Sequence, residues 1–228
     1  MTDEQRRLAT IMFTDMVGYS ALSQQNESRA LAVLEEQRAL LRAVFAEHGG
    51  REIEAVGDGF FVEFPSALSA ARCAVAIQQR LAERNGSATS ETPIRVRIGL
   101  HVGDVVARGD RVHGDVVNIA ARIEPLAPAG GICVSEDVAR QIQNKIDLPL
   151  VRLGKGELKN IQLPVSICRL VPPGEHARPP LLERVAFTLR RRRVRQAAAV
   201  GILLLVVASA GAWLWQWAAR CVVWPTAV

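Results

Sequence analysis

None of the four cysteines (Cys73, Cys133, Cys168, Cys221) stands in a CxxC pair or another metal-ligand spacing, so a cysteine-built metal centre is excluded. Three of them lie in apolar patterns and read as small core hydrophobes in a reducing compartment. The opening MTDEQRRLAT has no apolar stretch of the kind a signal peptide carries. A basic face is missing where nucleic acid would require one. Of the net charge of +5, residues 181–228 supply +6 (seven arginines against Glu183), which leaves residues 1–180 at −1. No nucleic-acid partner is expected for so neutral a domain.

What is present is one α/β domain's worth of alternating elements. The patterns predict a strand over Leu8 to Phe13 and a long helix over Asn26 to His48, closed by Gly49-Gly50. Two strands, Arg51 to Val56 and Phe60 to Phe64, flank Gly57-Asp58-Gly59, a hairpin signal. A helix over Ser66 to Arg84 and a half-buried strand over Ile94 to Val102 follow. Further along come a helix (Gly114 to Glu124), a strand (Ile132 to Val134), a helix (Ser135 to Gln143) and a strand pair within Val151 to Leu170. The order β-α-β-β-α-β predicts a ferredoxin-like α/β (α+β) core.

Beyond it, VPPGEHARPP is a Pro-rich linker, followed by an arginine cluster (Arg190 to Arg193, Arg195). Residues 197–215 carry no charge and are mostly Val, Leu, Ile and Ala, long enough for one membrane-spanning helix. The expected organisation is a domain over 1–171, linker and basic segment over 172–195, a transmembrane helix over 196–219 and a tail over 220–228. Arginines before the span place the domain on the cytoplasmic side of the inner (plasma) membrane, with Trp213, Trp215, Trp217 and Trp224 near the far interface.

Two aspartates are the first chemical signal. Asp15 ends the first strand and Asp58 sits in the hairpin turn, so pairing of those elements brings two carboxylates to one sheet edge. Hard divalent cations, Mg²⁺ or Mn²⁺, take such a pair together with phosphate oxygens. The turn Met16-Val17-Gly18-Tyr19 offers backbone amides to phosphate. Asn118 and Arg122 lie four apart on one helix face and suit a ribose and a transferring phosphoryl group. Lys155, in GKGELKN, is a candidate triphosphate contact, as is Lys159.

FTDMVGYS, VGDGFFVEFPSA, RIGLHVGDV, HGDVVNIAARIE, PAGGICVSE and LGKGELKN resemble, in that order, the motifs of class III adenylyl and guanylyl cyclases. The likeness covers about residues 6–170. It implies a homodimer with sites at the interface, where Asp15 and Asp58 of one chain hold two divalent cations and the partner's Asn118 and Arg122 act on ribose and transition state; Met16 is counted with the metal pair, and Val17, Gly18, Tyr19 and Lys155 with the phosphate contacts. The implied reaction is attack of a nucleoside triphosphate's 3′-hydroxyl on its own α-phosphate, releasing pyrophosphate. A GGDEF-like run is absent, which argues against a diguanylate cyclase. A catalytically silent dimerisation module is the alternative from another class.

The resemblance also marks two base-reading positions, and here they depart from the adenylyl pattern. Glu54 stands where a Lys is usual, and Arg111 where an Asp is usual. A carboxylate only accepts and a guanidinium only donates, which mismatches adenine and cytosine and suits guanine and uracil. The long Arg111 favours the smaller uracil, and the chain resembles compact bacterial pyrimidine cyclases of anti-phage defence. Cyclic UMP is therefore the expected product, closely followed by cyclic GMP. A register one residue different would put Asp110 at the reading position and restore cyclic AMP. Nothing in the sequence identifies a downstream effector.

Overall fold

The computed structural model describes residues 4–87, 92–109, 111–156, 164–173 and Thr188. The chain divides into two compact units, Met1–Val185 and Ala186–Val228. Among the described residues no helix is long and apolar enough to cross a membrane. The expected span over 196–219, the basic segment and the tail lie outside them, as do Asp110 and Lys159.

The first unit is built on an eight-stranded mixed sheet. Its strands are β1 (Glu4–Met16), β2 (Arg51–Val56), β3 (Gly59–Phe64), β4 (Val96–Arg108), β5 (Arg111–His113), β6 (Ile132–Ser135), β7 (Leu150–Gly156) and β8 (Val165–Leu170). They run β2-β3-β1-β4-β6-β8-β7, with β5 paired to the far end of β4. The helices are α1 (Tyr19–Gln25), α2 (Glu27–Glu47), α3 (Ala67–Gly86), α4 (Asp115–Ile123) and α5 (Glu136–Ile142), and a 3₁₀ turn covers Glu124–Leu126. The first four main strands in order β2-β3-β1-β4, with helices between, are the expected βαββαβ core.

Local chemistry sets the boundaries. The Asn26 side chain accepts from the Arg29 amide at 3.0 Å and starts α2, and Gly49 at φ 69° lets the chain leave it. Ser66 caps α3 in the same way, accepting from Ser69.

The sheet has two differently covered faces. Even positions of β1 and β4 (Met12, Met16, Val96, Ile98, Leu100) pack under α2, α3 and α5 in the main core. Odd positions (Ala9, Ile11, Val105) pack with Phe61, Val112 and the α4 residues Val116 and Ala120. Beyond α4 that second face carries Phe13 stacked on Phe61, ring centroids 5.0 Å apart. Cys73, Cys133 and Cys168 are buried and unbridged, as expected of core thiols.

Candidate active site

Asp15 and Asp58 are brought together by the β1–β3 ladder. Thr14 pairs with Phe60, and the Phe60 amide also donates to the Thr14 hydroxyl at 3.0 Å. Asp15 therefore follows the last residue of β1 that pairs with β3, while Asp58 stands just ahead of β3. The turn that presents Asp58 is pinned from behind by α2. Arg38 donates to the Gly57 carbonyl at 3.0 Å, and Gln37, fully buried, reaches the Asp58 carbonyl at 3.5 Å. Gly57 takes φ 58°, a left-handed turn conformation that glycine adopts without strain.

The two carboxylates influence each other. Asp58 is pushed above its ordinary range, first by burial and then by the Asp15 charge. A cation between them would relieve both effects. Among the described residues no group of three or more His, Cys, Asp or Glu is arranged around a metal. Two carboxylates completed by carbonyl, phosphate and water oxygens are the donor set Mg²⁺ and Mn²⁺ accept, so the residues fit. The Met16 side chain, which carries no oxygen, lies in the main core, so only its backbone carbonyl is suited to a hard cation.

Two charged residues that the sequence reading passed over belong here. Arg97 lies directly across the β1–β4 ladder from Asp15, and its Nη2 pairs with the Asp15 carboxylate. Its Nε faces Oε1 of Glu124 at 3.1 Å. Burial pushes the Glu124 carboxyl up to about 8, against the Arg97 charge, with Asp15 and Asp58 adding to the rise. Glu124 opens the turn that ends α4.

The turn after Asp15 offers fewer amides than its sequence suggests. The Val17 amide donates to the Arg95 carbonyl at 2.8 Å. Gly18, at φ 87°, opens α1, so the amides of Gly18 and Tyr19 remain at the helix start.

Other expected residues are placed apart. On α4, Asn118 is exposed and Arg122 half-buried, with Val116, Ala120 and Ile123 turned to the sheet. No hydrogen bond or ion pair among the described residues joins either to Asp15 or Asp58. Lys155 is on β7, four strands from β1 and so about 19 Å away across the sheet. Glu54 is exposed, opposite Phe61 in the β2–β3 ladder, and therefore on the face that carries Phe13 and Asp15. Arg111 is exposed opposite Arg108, on the other side of β5 from the buried Val112. The sheet does not itself bring Glu54 and Arg111 together.

The sequence family of the adenylate and guanylate cyclase catalytic domain matches residues 1–164. This chain belongs to the class III nucleotidyl cyclases. It is 37% identical over 177 residues to the putative adenylate cyclase 3 of Rhizobium meliloti (strain 1021), covering 77% of this chain and 30% of that protein. It is 30% identical over 145 residues to an adenylate cyclase of Streptomyces coelicolor, covering 63% of this chain and 36% of that one. The chain thus spans about a third of the length of these curated relatives. Among solved structures, an adenylate/guanylate cyclase/hydrolase from Silicibacter pomeroyi matches with a TM-score of 0.70 at 36% identity, covering 75% of this chain and 99% of that one. The guanylyl cyclase Cya2 matches with a TM-score of 0.66 at 28% identity, covering 77% and 96%. The Asp15–Arg97–Glu124 array therefore lies within the matched family domain, beside the hairpin that presents Asp58.

Proposed function

We propose that the domain cyclises a nucleoside triphosphate at the interface of a homodimer, with uracil favoured as its base, guanine next and adenine after it. The observation that supports the site is the convergence of Asp15 and Asp58, whose repulsion a divalent cation relieves. Two such cations, Mg²⁺ or Mn²⁺, held by Asp15 and Asp58, would supply Lewis acidity to the attacking and leaving oxygens. The protein does the rest by placement. Asp15, Asp58 and the Met16 carbonyl fix the metal end, and the Gly18 and Tyr19 amides receive phosphate oxygens. Asn118 and Arg122, displayed outward on α4 and unpaired with their own chain's aspartates, act on a substrate held by a second copy. Asn118 orients the ribose, and Arg122 offsets charge growing on the α-phosphate. Lys155, four strands away, likewise serves the partner's triphosphate. The 3′-oxygen bonds to the α-phosphorus as the bond to the β-phosphate oxygen breaks. The hydroxyl proton passes to solvent and pyrophosphate leaves.

Base choice rests on Glu54, exposed on the catalytic face where its carboxylate accepts from an N–H that guanine and uracil carry and adenine lacks. Arg111 is the second reader, donating to the adjoining carbonyl. A second reading, an adenylate cyclase making cyclic AMP, is favoured by the names of the two relatives above. The membrane tether over 196–219 is part of the proposal, with the catalytic domain on the cytoplasmic side. Removing everything after Pro173 should release the chain from the membrane fraction.

The deciding experiment offers ATP, GTP, UTP and CTP separately with Mn²⁺ and identifies products by mass spectrometry. Cyclic UMP or cyclic GMP that shifts toward cyclic AMP in Glu54→Lys/Arg111→Asp supports the reading. Cyclic AMP from the native chain would overturn the base assignment and leave the cyclase standing.

A further inference from the structure

Arg97 offers two edges of one guanidinium to two different carboxylates. Nη2 pairs with Asp15, and Nε faces Glu124 Oε1 at 3.1 Å. The second contact is unfinished. Both atoms are buried, and neither is in a hydrogen bond. The two carboxylates also differ in freedom. Asp15 is at an open rim, its side chain 29% exposed, beside Asp58. Glu124 is 8% exposed and its backbone is pressed against β4. A Cβ on Gly99 would come within 2.3 Å of the Glu124 nitrogen and 2.6 Å of its Cα. The guanidinium therefore has one partner that other cations can reach and one held in a fixed, buried seat.

We propose that Arg97 and a divalent cation compete for Asp15, and that Glu124 is the positioning residue that takes up the guanidinium when the cation wins. This rests on the reading of Asp15 and Asp58 as metal ligands. A guanidinium and a divalent ion on one carboxylate repel strongly at close range in a partly dry site. Arg97 cannot simply withdraw, because a half-buried cation left without a partner is costly. Rotation of its planar head completes the Nε–H bond to Glu124, which keeps the charge compensated at the site's edge. With a neutral residue at 124, Asp15 is the one ion-pair partner left to it among the described residues, and the metal has to displace a more firmly held arginine.

The test measures Mn²⁺ binding to the full chain without nucleotide, from loss of the free-ion electron paramagnetic resonance signal. It is run above pH 8, where the Glu124 carboxyl, titrating at about 8, is ionised. Glu124→Gln is expected to weaken Mn²⁺ binding about tenfold, and Arg97→Gln to tighten it by a similar factor. Adding Glu124→Gln to Arg97→Gln is expected to change nothing further, since the guanidinium it serves is gone. An equal loss in both backgrounds would show a general structural role and overturn the proposal. So would an Arg97→Gln chain that binds Mn²⁺ no more tightly than the native one, an arm that holds even if the Glu124 variants fail to fold. Asp15→Asn separates this from failure of the metal-site reading: if it leaves Mn²⁺ binding unchanged, the metal site itself is wrong and the competition falls with it.

Discussion

A Cβ on Gly59 would lie 1.8 Å from the carbonyl oxygen of Thr14, a backbone atom that has no room to yield. That close approach sets the spacing between β1 and β3, and with it the spacing of Asp15 and Asp58. Gly59→Ala is expected to force the two strands apart, at a cost of about 2 kcal/mol or more in chemical denaturation. Cyclase activity should fall further than that loss of stability explains. Thr14→Val is the control: it removes only the hydroxyl that the buried Phe60 amide donates to. It should cost about 1–2 kcal/mol while keeping measurable turnover.

Asn118 and Arg122 lie on the outer face of α4 without a bond to their own chain's aspartates, so a site shared between copies predicts complementation. Asp58→Asn and Arg122→Ala should each lower turnover on the order of a thousandfold under the proposed mechanism, in which each serves the transferring phosphoryl. Mixing the two inactive chains should restore activity, because one of the two sites in a mixed dimer is then intact. Activity that stays absent in a mixture shown to form mixed dimers would contradict the shared-site arrangement.

The titration of Glu124 has a signed consequence. Its carboxyl is raised in the folded domain, from 4.5 to about 8, first by burial. The folded state therefore holds a proton that the unfolded chain has released across that window. The stabilisation is full below about 4.5 and is lost as pH rises through about 8, with a slope of at most about 1.4 kcal/mol per unit. Asp58, also raised, acts in the same direction over its own window. His101, held below 6.5 by burial, acts in the opposite direction. The comparison is thus between Glu124→Gln and the native chain, by urea denaturation at a series of pH values without added metal. Their stability difference should change across the window, and parallel curves would refute the assignment.

Cys73 is buried in the main core, and burial pushes its thiol up to about 12. It should resist thiol reagents in the native domain and react once urea unfolds it, which mass spectrometry of the labelled peptide reads directly.

Much of this arrangement was legible in the chain, for reasons that differ by element. The β2–β3 hairpin was readable because Gly57-Asp58-Gly59 sits between two apolar runs, and α2 because Asn26 and Gly49 mark both its ends. The strand read over Leu8 to Phe13 proved to run over Glu4–Met16, because its charged start is held by ion pairing rather than apolar burial. Arg7 donates to Glu63 at 2.8 Å across the sheet, and Arg51 meets the same carboxylate at 2.7 Å. The seven-residue α1 offers the core only Tyr19 and Leu22, too short a stripe to read. No strand was read between Val102 and Gly114, where β5 lies, because Val112 is its only buried residue. Arg97 looked like the outward half of an alternating strand. Its role depends on a pairing with a residue 82 positions away, which periodicity does not encode. Glu124 read as the polar end of a helix, and only the approach of Gly99 shows that it is enclosed.

The two-sided pattern of β1 also bears on inheritance. Ala9, Ile11 and Asp15 share one face, and Met12 and Met16 the other. Loss of a single codon between Thr10 and Thr14 would rotate everything upstream of the gap relative to Asp15. Apolar anchors would turn outward, or the carboxylate would turn into the core beneath α2. Loss of two codons would preserve both faces. Lineages descended from such a gene are therefore expected to vary in this strand by pairs of residues, or by substitution, while the turn after Met16 lengthens and shortens one residue at a time.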